Sequence, residues 1–308
     1  KRFVNALKTI ADNGLSFDVF EKIGDGINSY CWKLYNKKQC FFLKFYKNNN
    51  IDNRDRLATE SKFLKLLNTE GFKNVPKLIY SNPSFNWSLL TWIEGEKITS
   101  PNASHWKTYL NFLINLQNLR KSNLIYKLEN ASEACFSLNS HFSLIENRLN
   151  LIIIKTTEQQ LFNNLNYWLR NEIVKRMIFI KKEITQDKNL ENLSLNEKII
   201  SPSDVGFHNV INSYDELYFI DFEYAGWDDP YKLFMDLIIR PENLISSKDA
   251  NNIMIELSER MRIKLEKNKL IKYIELYRIK WVLIILNKVK NKQINSNNES
   301  LKIYNKVL

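Results

Sequence analysis

Short apolar runs separated by turn residues fill the chain as far as Gly95. The runs are rich in β-branched and aromatic residues, and polar stretches such as Asn36-Lys37-Lys38 lie between them. This alternation is typical of short strands joined by turns. It predicts an antiparallel meander, preceded by a short helix at 3–11. The predicted strands are 17–26, 28–34, 40–46, 77–81 and 88–92.

Residues 55–67 carry the spacing of an amphipathic helix, with three leucines and Glu60 on one face. A carboxylate on an apolar face is costly unless it is paired. The strand at 40–46 contains one charged residue, Lys44, within an apolar run. An edge lysine whose stem packs while its amine reaches water is one interpretation. The combination favours the other, a buried pair between Lys44 and Glu60.

Helical periodicity replaces the strand pattern near Gly95, and we place a domain boundary there, dividing the chain into 1–95 and 96–308. A small hairpin interrupts the helices, and the Asn- and Lys-rich tail at 290–308 is expected to be loose, ending in a short helix. The predicted helices are 105–119, 136–154, 161–184, 231–239, 251–265 and 271–289.

Composition adds limits to this α+β picture. The 308 residues are 44% hydrophobic and 13% aromatic, which is typical of a globular protein. The formal net charge is +11, but the lysines are scattered along the chain. Since the sequence shows no Arg-rich arm, zinc-ligand spacing or aromatic RNA-binding signature, we expect no nucleic-acid partner.

The cysteines and apolar runs help to predict the cellular compartment of the protein. Three cysteines without CxxC spacing disfavour a disulfide framework and a zinc site. No run approaches the ~20 apolar residues of a membrane helix, and no signal-like segment opens the chain. The expectation is a soluble cytoplasmic protein without a membrane span, trimmed at its start because Met is absent there.

The segment 201–230 holds three short oxygen-bearing side chains, Asp204, Asn209 and Asp221. Turn residues at 212–216 separate two short β-prone runs, so a hairpin is predicted between Asn209 and Asp221. A hairpin brings its ends together. The three oxygen donors would therefore converge, which suits a hard cation such as Mg²⁺.

The complete order of elements resembles the protein-kinase-like fold, with a small antiparallel β-rich N-lobe (1–95) and a mainly helical C-lobe (96–308). More narrowly, it resembles the aminoglycoside phosphotransferase and choline kinase group of small-molecule kinases. The motifs Asp-x4-Asn and IDFEYAGWDDP, followed by Asp236, carry this resemblance. By element order it spans roughly 17–290.

The resemblance implies ATP and Mg²⁺ as cofactors and a role for each matching residue. Asp204 resembles the catalytic carboxylate that receives the acceptor's hydroxyl proton, and Asn209 and Asp221 resemble the metal ligands. Lys44 resembles the lysine that holds the phosphates, positioned by Glu60. Phosphoryl transfer needs such positioning and charge neutralisation. The implied nucleotide contacts also include Gly24, Gly26 and Ser29 of the loop and Trp92 and Ile93 of the hinge.

The acceptor would be a small molecule carrying a hydroxyl group. Glu223, Trp227 and Asp228 are candidate acceptor contacts, which favours choline, an amino alcohol or an aminoglycoside; a sugar stays open. Asp229-Pro230 has the composition of a helix start. Tyr231 and Trp281 fit an aromatic wall or the core. The sequence leaves the acceptor's identity, ATP against GTP, and the oligomeric state open.

The chain also departs from the family pattern. Pro202 stands where relatives have His, two residues before the catalytic Asp, and His208 fits either a substrate contact or a structural role. The IGDG turn has few glycines. We expect an active enzyme; the alternative is a catalytically silent nucleotide-binding module acting through a partner. A protein kinase is disfavoured, because the chain reaches GWDDP within about ten residues of Asp221 and has no room for an activation segment.

Overall fold

The computed structural model describes residues 2–26, 28–47, 54–157, 163–186, 193–243 and 245–291. The chain forms two compact units, one made of Lys1–Ser132 with Ile200–Trp227 and the other of Glu133–Ile199 with Asp228–Leu308. The predicted division at 95/96 stays a prediction. The expected tail lies almost wholly outside the described residues.

The described strands agree with the predicted meander and hairpin. Each predicted strand is present with shifts of one or two residues at its ends, and the third has the expected bounds. The strands are β1 Val19–Asp25, β2 Ser29–Tyr35, β3 Cys40–Tyr46, β4 Leu78–Asn82, β5 Trp87–Thr91, β6 Glu96–Lys97, β7 Ile199–Ser201, β8 Val210–Ser213, β9 Glu216–Phe219 and β10 Gly226–Asp228.

The described helices also follow the predicted order. The main difference lies within 161–184, where a π-helical turn at Leu169–Ile173 separates two helices. No proline or glycine marks that turn, so the sequence carries no signal for it. The helices are α1 Arg2–Asp12, α2 Arg56–Thr69, α3 Ala103–Leu116, α4 Leu138–Thr157, α5 Asn163–Trp168, α6 Val174–Gln186, α7 Pro230–Ile238, α8 Ser247–Met261 and α9 Lys267–Asn291.

The first unit is built on a five-stranded antiparallel sheet in the order β1-β2-β3-β5-β4. Its core joins the buried face of α1 to the sheet through Ala6, Ile10, Leu43 and Trp87. Helix α2 contacts β4 and β5. A second, three-stranded sheet in the order β6-β8-β9 carries the hairpin.

Gly95 is required where the chain enters β6. Its φ is +143°, and a Cβ there would lie 2.2 Å from the carbonyl oxygen of Asn212. The pairing of Glu96 with Asn212 brings the two backbones this close. Glycine permits both the backbone angle and the approach.

The second unit is helical. Helix α9 packs against α4, α6 and α7, and its buried face includes Tyr273, Leu276 and Leu283. Within the described ranges, no helix has the length and apolar character needed to cross a membrane.

Candidate active site

The ammonium of Lys44 lies buried among three carboxylates. Its Nζ is 2.9 Å from Glu60 Oε2, 2.7 Å from Asp221 Oδ1 and 3.0 Å from Glu223 Oε2. Burial by itself would lower the pKa of Lys44, but the charges of Asp221 and Glu60 outweigh it and raise that pKa well above its usual value. Lys44 is therefore held as a fixed cation, and the pairing with Glu60 predicted from the sequence is confirmed.

Helix α2 delivers Glu60 to this cluster. The helix begins at the N-cap Asp55, whose side chain accepts a hydrogen bond from the Ala58 N–H. Besides Lys44, Glu60 accepts hydrogen bonds from the Tyr46 hydroxyl (2.5 Å) and the Phe222 N–H (3.0 Å). These donors fix both carboxylate oxygens.

The predicted hairpin brings its two ends together. Its turn residues Tyr214 and Asp215 both have positive φ, as a two-residue hairpin turn requires. At the open end, the Ile220 N–H donates to the Asn209 carbonyl at 3.0 Å. Asn209 therefore lies beside the residue that precedes Asp221, and the Asp221 side chain is 40% exposed.

Asp204 follows a tight turn after β7. The Asp204 N–H donates to the Pro202 carbonyl (2.8 Å), and Ser203 has φ +65°. The Ser203 hydroxyl donates to the Ser132 carbonyl at 3.1 Å, which holds the turn in place. The Asn209 amide donates to Asp204 Oδ2 at 3.3 Å. Asp204 and Asn209, both predicted site residues, are thus in contact.

The predicted phosphate loop is braced by residues that the sequence did not single out. The Gly26 N–H donates to the Ser29 carbonyl (3.0 Å), and the Lys47 ammonium donates to the Gly26 carbonyl (2.5 Å). Asn28 donates to Glu223 Oε1 at 3.0 Å and to the Tyr224 hydroxyl. Asn28 gives no sequence signal, because its partners lie 195 and 196 positions away.

The predicted hinge follows β5. The Trp92 N–H donates to the Cys40 carbonyl at 3.4 Å, and the Trp92 indole donates to Glu94 at 2.7 Å. Ile93 is half-buried. The described contacts of Trp92 are with strands β2 and β3 and with Glu94, and they do not join it to the Lys44 cluster. Of the two predicted hinge residues, Trp92 therefore already uses its backbone N–H within the sheet.

The candidate acceptor residues differ in exposure. Glu223 is buried against Lys44, and burial raises the pKa of its carboxyl. Trp227 is half-buried. Asp228 is fully buried and 2.7 Å from the Lys232 ammonium. Burial also raises the pKa of Asp228, with Lys232 opposing the shift. The structure thus places none of these acids as an open carboxylate on the surface.

Asp229, Tyr231 and Trp281 have structural roles in the second unit. Asp229 is the N-cap of α7 and accepts from the Tyr231 N–H, with Pro230 in the first turn, which confirms the predicted helix start. Tyr231 and Trp281 are buried, and Tyr231 stacks on Tyr273 with ring centroids 4.7 Å apart. Both aromatic residues therefore belong to the core of the second unit.

The donor set fits a hard divalent cation. Within the described residues, carboxylate oxygens of Glu60, Asp221 and Glu223 lie within 4.8 Å of one another. The Lys44 ammonium contacts all three, and Asp221 is the one whose side chain is also exposed. The Asn209 carboxamide is tied to the same segment by the hairpin. Oxygen ligands with an excess of negative charge suit Mg²⁺. The chemistry of these residues is therefore compatible with the metal that the sequence predicts.

Comparisons with known proteins show the fold. Neither a scan against protein-family models nor a search of curated proteins gives a match. Among solved structures, a spectinomycin phosphotransferase in complex with ADP and spectinomycin is 15% identical, with 97% of this chain and 92% of that chain covered and a TM-score of 0.63. The choline kinase of Streptococcus pneumoniae is 16% identical, with coverages of 100% and 99% and a TM-score of 0.63.

A mutant aminoglycoside 2′-phosphotransferase in complex with GDP is 15% identical, with coverages of 99% and 96% and a TM-score of 0.62. At these identities the shared feature is the fold. The predicted α+β, protein-kinase-like fold is therefore confirmed, and it is the fold of aminoglycoside phosphotransferases and choline kinases.

Proposed function

We propose that this protein is an ATP- and Mg²⁺-dependent kinase that transfers the γ-phosphate to a hydroxyl group of a small molecule. The observation that carries the proposal is the buried Lys44 ammonium, held by Glu60 beside Asp221 on a fold shared with small-molecule phosphotransferases. A permanently charged lysine surrounded by acids is expensive to bury. Binding of the nucleotide phosphates would explain why the fold keeps a charged lysine at this position.

Each side chain has a role in this proposal. Lys44 would hold the nucleotide phosphates, and Asn209 and Asp221 would hold Mg²⁺. When bound, the metal neutralises charge on the phosphates. Asp204 would orient the acceptor hydroxyl and take its proton, which requires a carboxylate within hydrogen-bonding reach of that hydroxyl.

The nucleotide and acceptor classes are parts of the same proposal. Gly24, Gly26 and Ser29 would line the phosphates, and Trp92 and Ile93 would flank the base. Two of the similar structures contain ADP and GDP, respectively, so both ATP and GTP belong in the tests. An amino alcohol, an aminoglycoside or a sugar is the proposed acceptor. The cysteines are free in the described structure, which fits a reducing, cytoplasmic setting.

The test is Mg²⁺-dependent nucleotide turnover over a panel of choline, ethanolamine, aminoglycosides and sugars. We expect Asp204→Asn to lower kcat by about 10²–10⁴-fold with any accepted substrate. Asp215→Asn, at an exposed hairpin turn, is the matched control and should leave turnover unchanged. Equal rates for the wild type and Asp204→Asn would remove the catalytic assignment. Nucleotide binding without turnover on any acceptor would instead support the silent module.

A further inference from the structure

His208 contacts the carboxylate of Asp204. The His208 Nε2 lies 3.2 Å from Asp204 Oδ2, the oxygen that also accepts from the Asn209 amide at 3.3 Å. The side chains of His208 and Asp204 are 37% and 33% exposed, so neither is buried by the fold. Two donors from adjacent residues thus converge on one carboxylate oxygen.

The backbone around His208 is anchored by contacts of the residues that precede it, and these contacts fix the position of His208. Residues Phe207–Asn209 form a 3₁₀ turn. Phe207 is buried and packs edge-on against Trp106, with ring centroids 4.8 Å apart. The Gly206 N–H donates to the Tyr109 hydroxyl at 2.8 Å. Because Phe207 is fixed in the core, the next residue is turned outward, toward Asp204.

We infer that His208 is a positioning residue for phosphoryl transfer, an inference that rests on the proposed function. A carboxylate only accepts hydrogen bonds, so the imidazole presents Nε2–H to Oδ2. Together with the Asn209 amide, this donor restrains rotation of the Asp204 carboxylate about the Cβ–Cγ bond. The side-chain oxygen of Asn209 can then point away from Asp204 while its amide nitrogen stays bonded to the Asp204 carboxylate.

The expected consequence follows from orientation. A reacting group misplaced by about 1 Å can cost about 10²-fold in rate. The effect should fall on kcat, since His208 holds the carboxylate and has no part in the Lys44 cluster that binds the phosphates in our proposal. A substrate-contacting His208 would instead alter the acceptor KM.

Three substitutions distinguish the inference from a general disturbance. Gln places its amide nitrogen near the position of Nε2, Asn places it near Nδ1, and Leu removes the donor. We expect His208→Gln to keep most of kcat, and His208→Asn and His208→Leu to lose about 10–10²-fold with nucleotide KM unchanged. Equal activity of the Gln and Asn variants, full activity of the Leu variant, or a change confined to acceptor KM would overturn the inference.

A direct measurement follows the contact independently of turnover. The chain has three histidines, so their ¹⁵N imidazole resonances are easily separated. Asp204→Ala should shift the His208 Nε2 resonance and leave those of His105 and His141 in place. No shift would overturn the contact.

The two proposals fail differently. Unchanged turnover in the His208→Leu variant would overturn this inference and leave the proposed function standing. Suppose that the wild type turns over no acceptor but that Asp204→Ala still shifts the His208 resonance. The proposed function and the positioning role of His208 would then be overturned, whereas the contact between His208 and Asp204 would stand.

Discussion

The ammonium of Lys44 and the carboxylate of Glu60 lie 2.9 Å apart, although sixteen positions separate the two residues in the chain. Both side chains are at most 5% exposed. A buried pair of this kind adds little net stability, but the loss of Lys44 would leave the carboxylates of Glu60, Asp221 and Glu223 without their shared cation. The strand that carries Lys44 and the helix that carries Glu60 are therefore chemically dependent on each other.

Replacement of Glu60 by Ala should be strongly destabilising. It removes a carboxylate that accepts from Lys44, the Tyr46 hydroxyl and the Phe222 N–H, and it leaves Lys44 with Asp221 and Glu223. We expect the free energy of unfolding, measured by urea denaturation, to fall by about 2–4 kcal/mol, because the buried Phe222 N–H loses its acceptor and a cavity replaces the side chain. Glu60→Gln is the matched control and should cost less, because its amide oxygen still accepts one of these bonds. A loss below about 1 kcal/mol for the Ala variant would contradict this account.

Gly95→Ala should destabilise more than Gly71→Ala. Both glycines have positive φ, +143° for Gly95 and +81° for Gly71. A new Cβ at Gly71 meets nothing within 4 Å, whereas at Gly95 it would lie 2.2 Å from the Asn212 carbonyl oxygen. We expect about 1 kcal/mol at Gly71 from backbone strain and at least about 2 kcal/mol at Gly95. Equal melting temperatures for the two variants would show that β6 yields to the methyl group.

The buried pair of Asp228 and Lys232 should show strong coupling. The two charged groups are 2.7 Å apart, and Asp228 also accepts from the Asp229 N–H at 3.0 Å. Lys232→Met alone leaves a buried carboxylate and should cost about 3–5 kcal/mol. Adding Asp228→Asn removes that charge while keeping an oxygen for the Asp229 N–H. In a double-mutant cycle, the pair should lose about 1–3 kcal/mol less than the sum of the single variants; strict additivity would rule out the coupling.

Cys135 should react slowly with iodoacetamide. Burial raises the pKa of its thiol to about 11. Because the thiolate is the nucleophile, and its fraction grows tenfold per pH unit below the pKa, the alkylation rate should rise about tenfold from pH 7 to 8 and again to pH 9. Mass spectrometry of the labelled peptide measures this, with urea-unfolded protein as the control. Equal rates in folded and unfolded protein would contradict the shift.

The sequence predicted features whose cause is local. Strand β3 is an apolar run interrupted by Lys44 and lies between turn residues, and Asp229-Pro230 carries the chemistry of a helix start, so both followed from the local sequence. The pairing of Lys44 with Glu60 followed because a charge on an apolar face needs a partner.

Features that depend on tertiary packing could not be predicted in the same way. The contact of His208 with Asp204 arises in a 3₁₀ turn, which has no periodicity to detect. Asn28 reaches Glu223 across most of the first unit's sequence. The burial of Asp228 did leave one signal, because Lys232 stands four residues later, at the spacing of a helical ion pair.

The hydrogen bond from the Phe222 N–H to Glu60 ties helix α2 to the segment that follows the hairpin. Phe222 directly follows Asp221, so helix α2 holds the backbone of the segment that carries the proposed metal ligand. That helix cannot swing outward without giving up three donors to its carboxylate at once. An outward shift of α2 would therefore also release the backbone beside Asp221 from the helix.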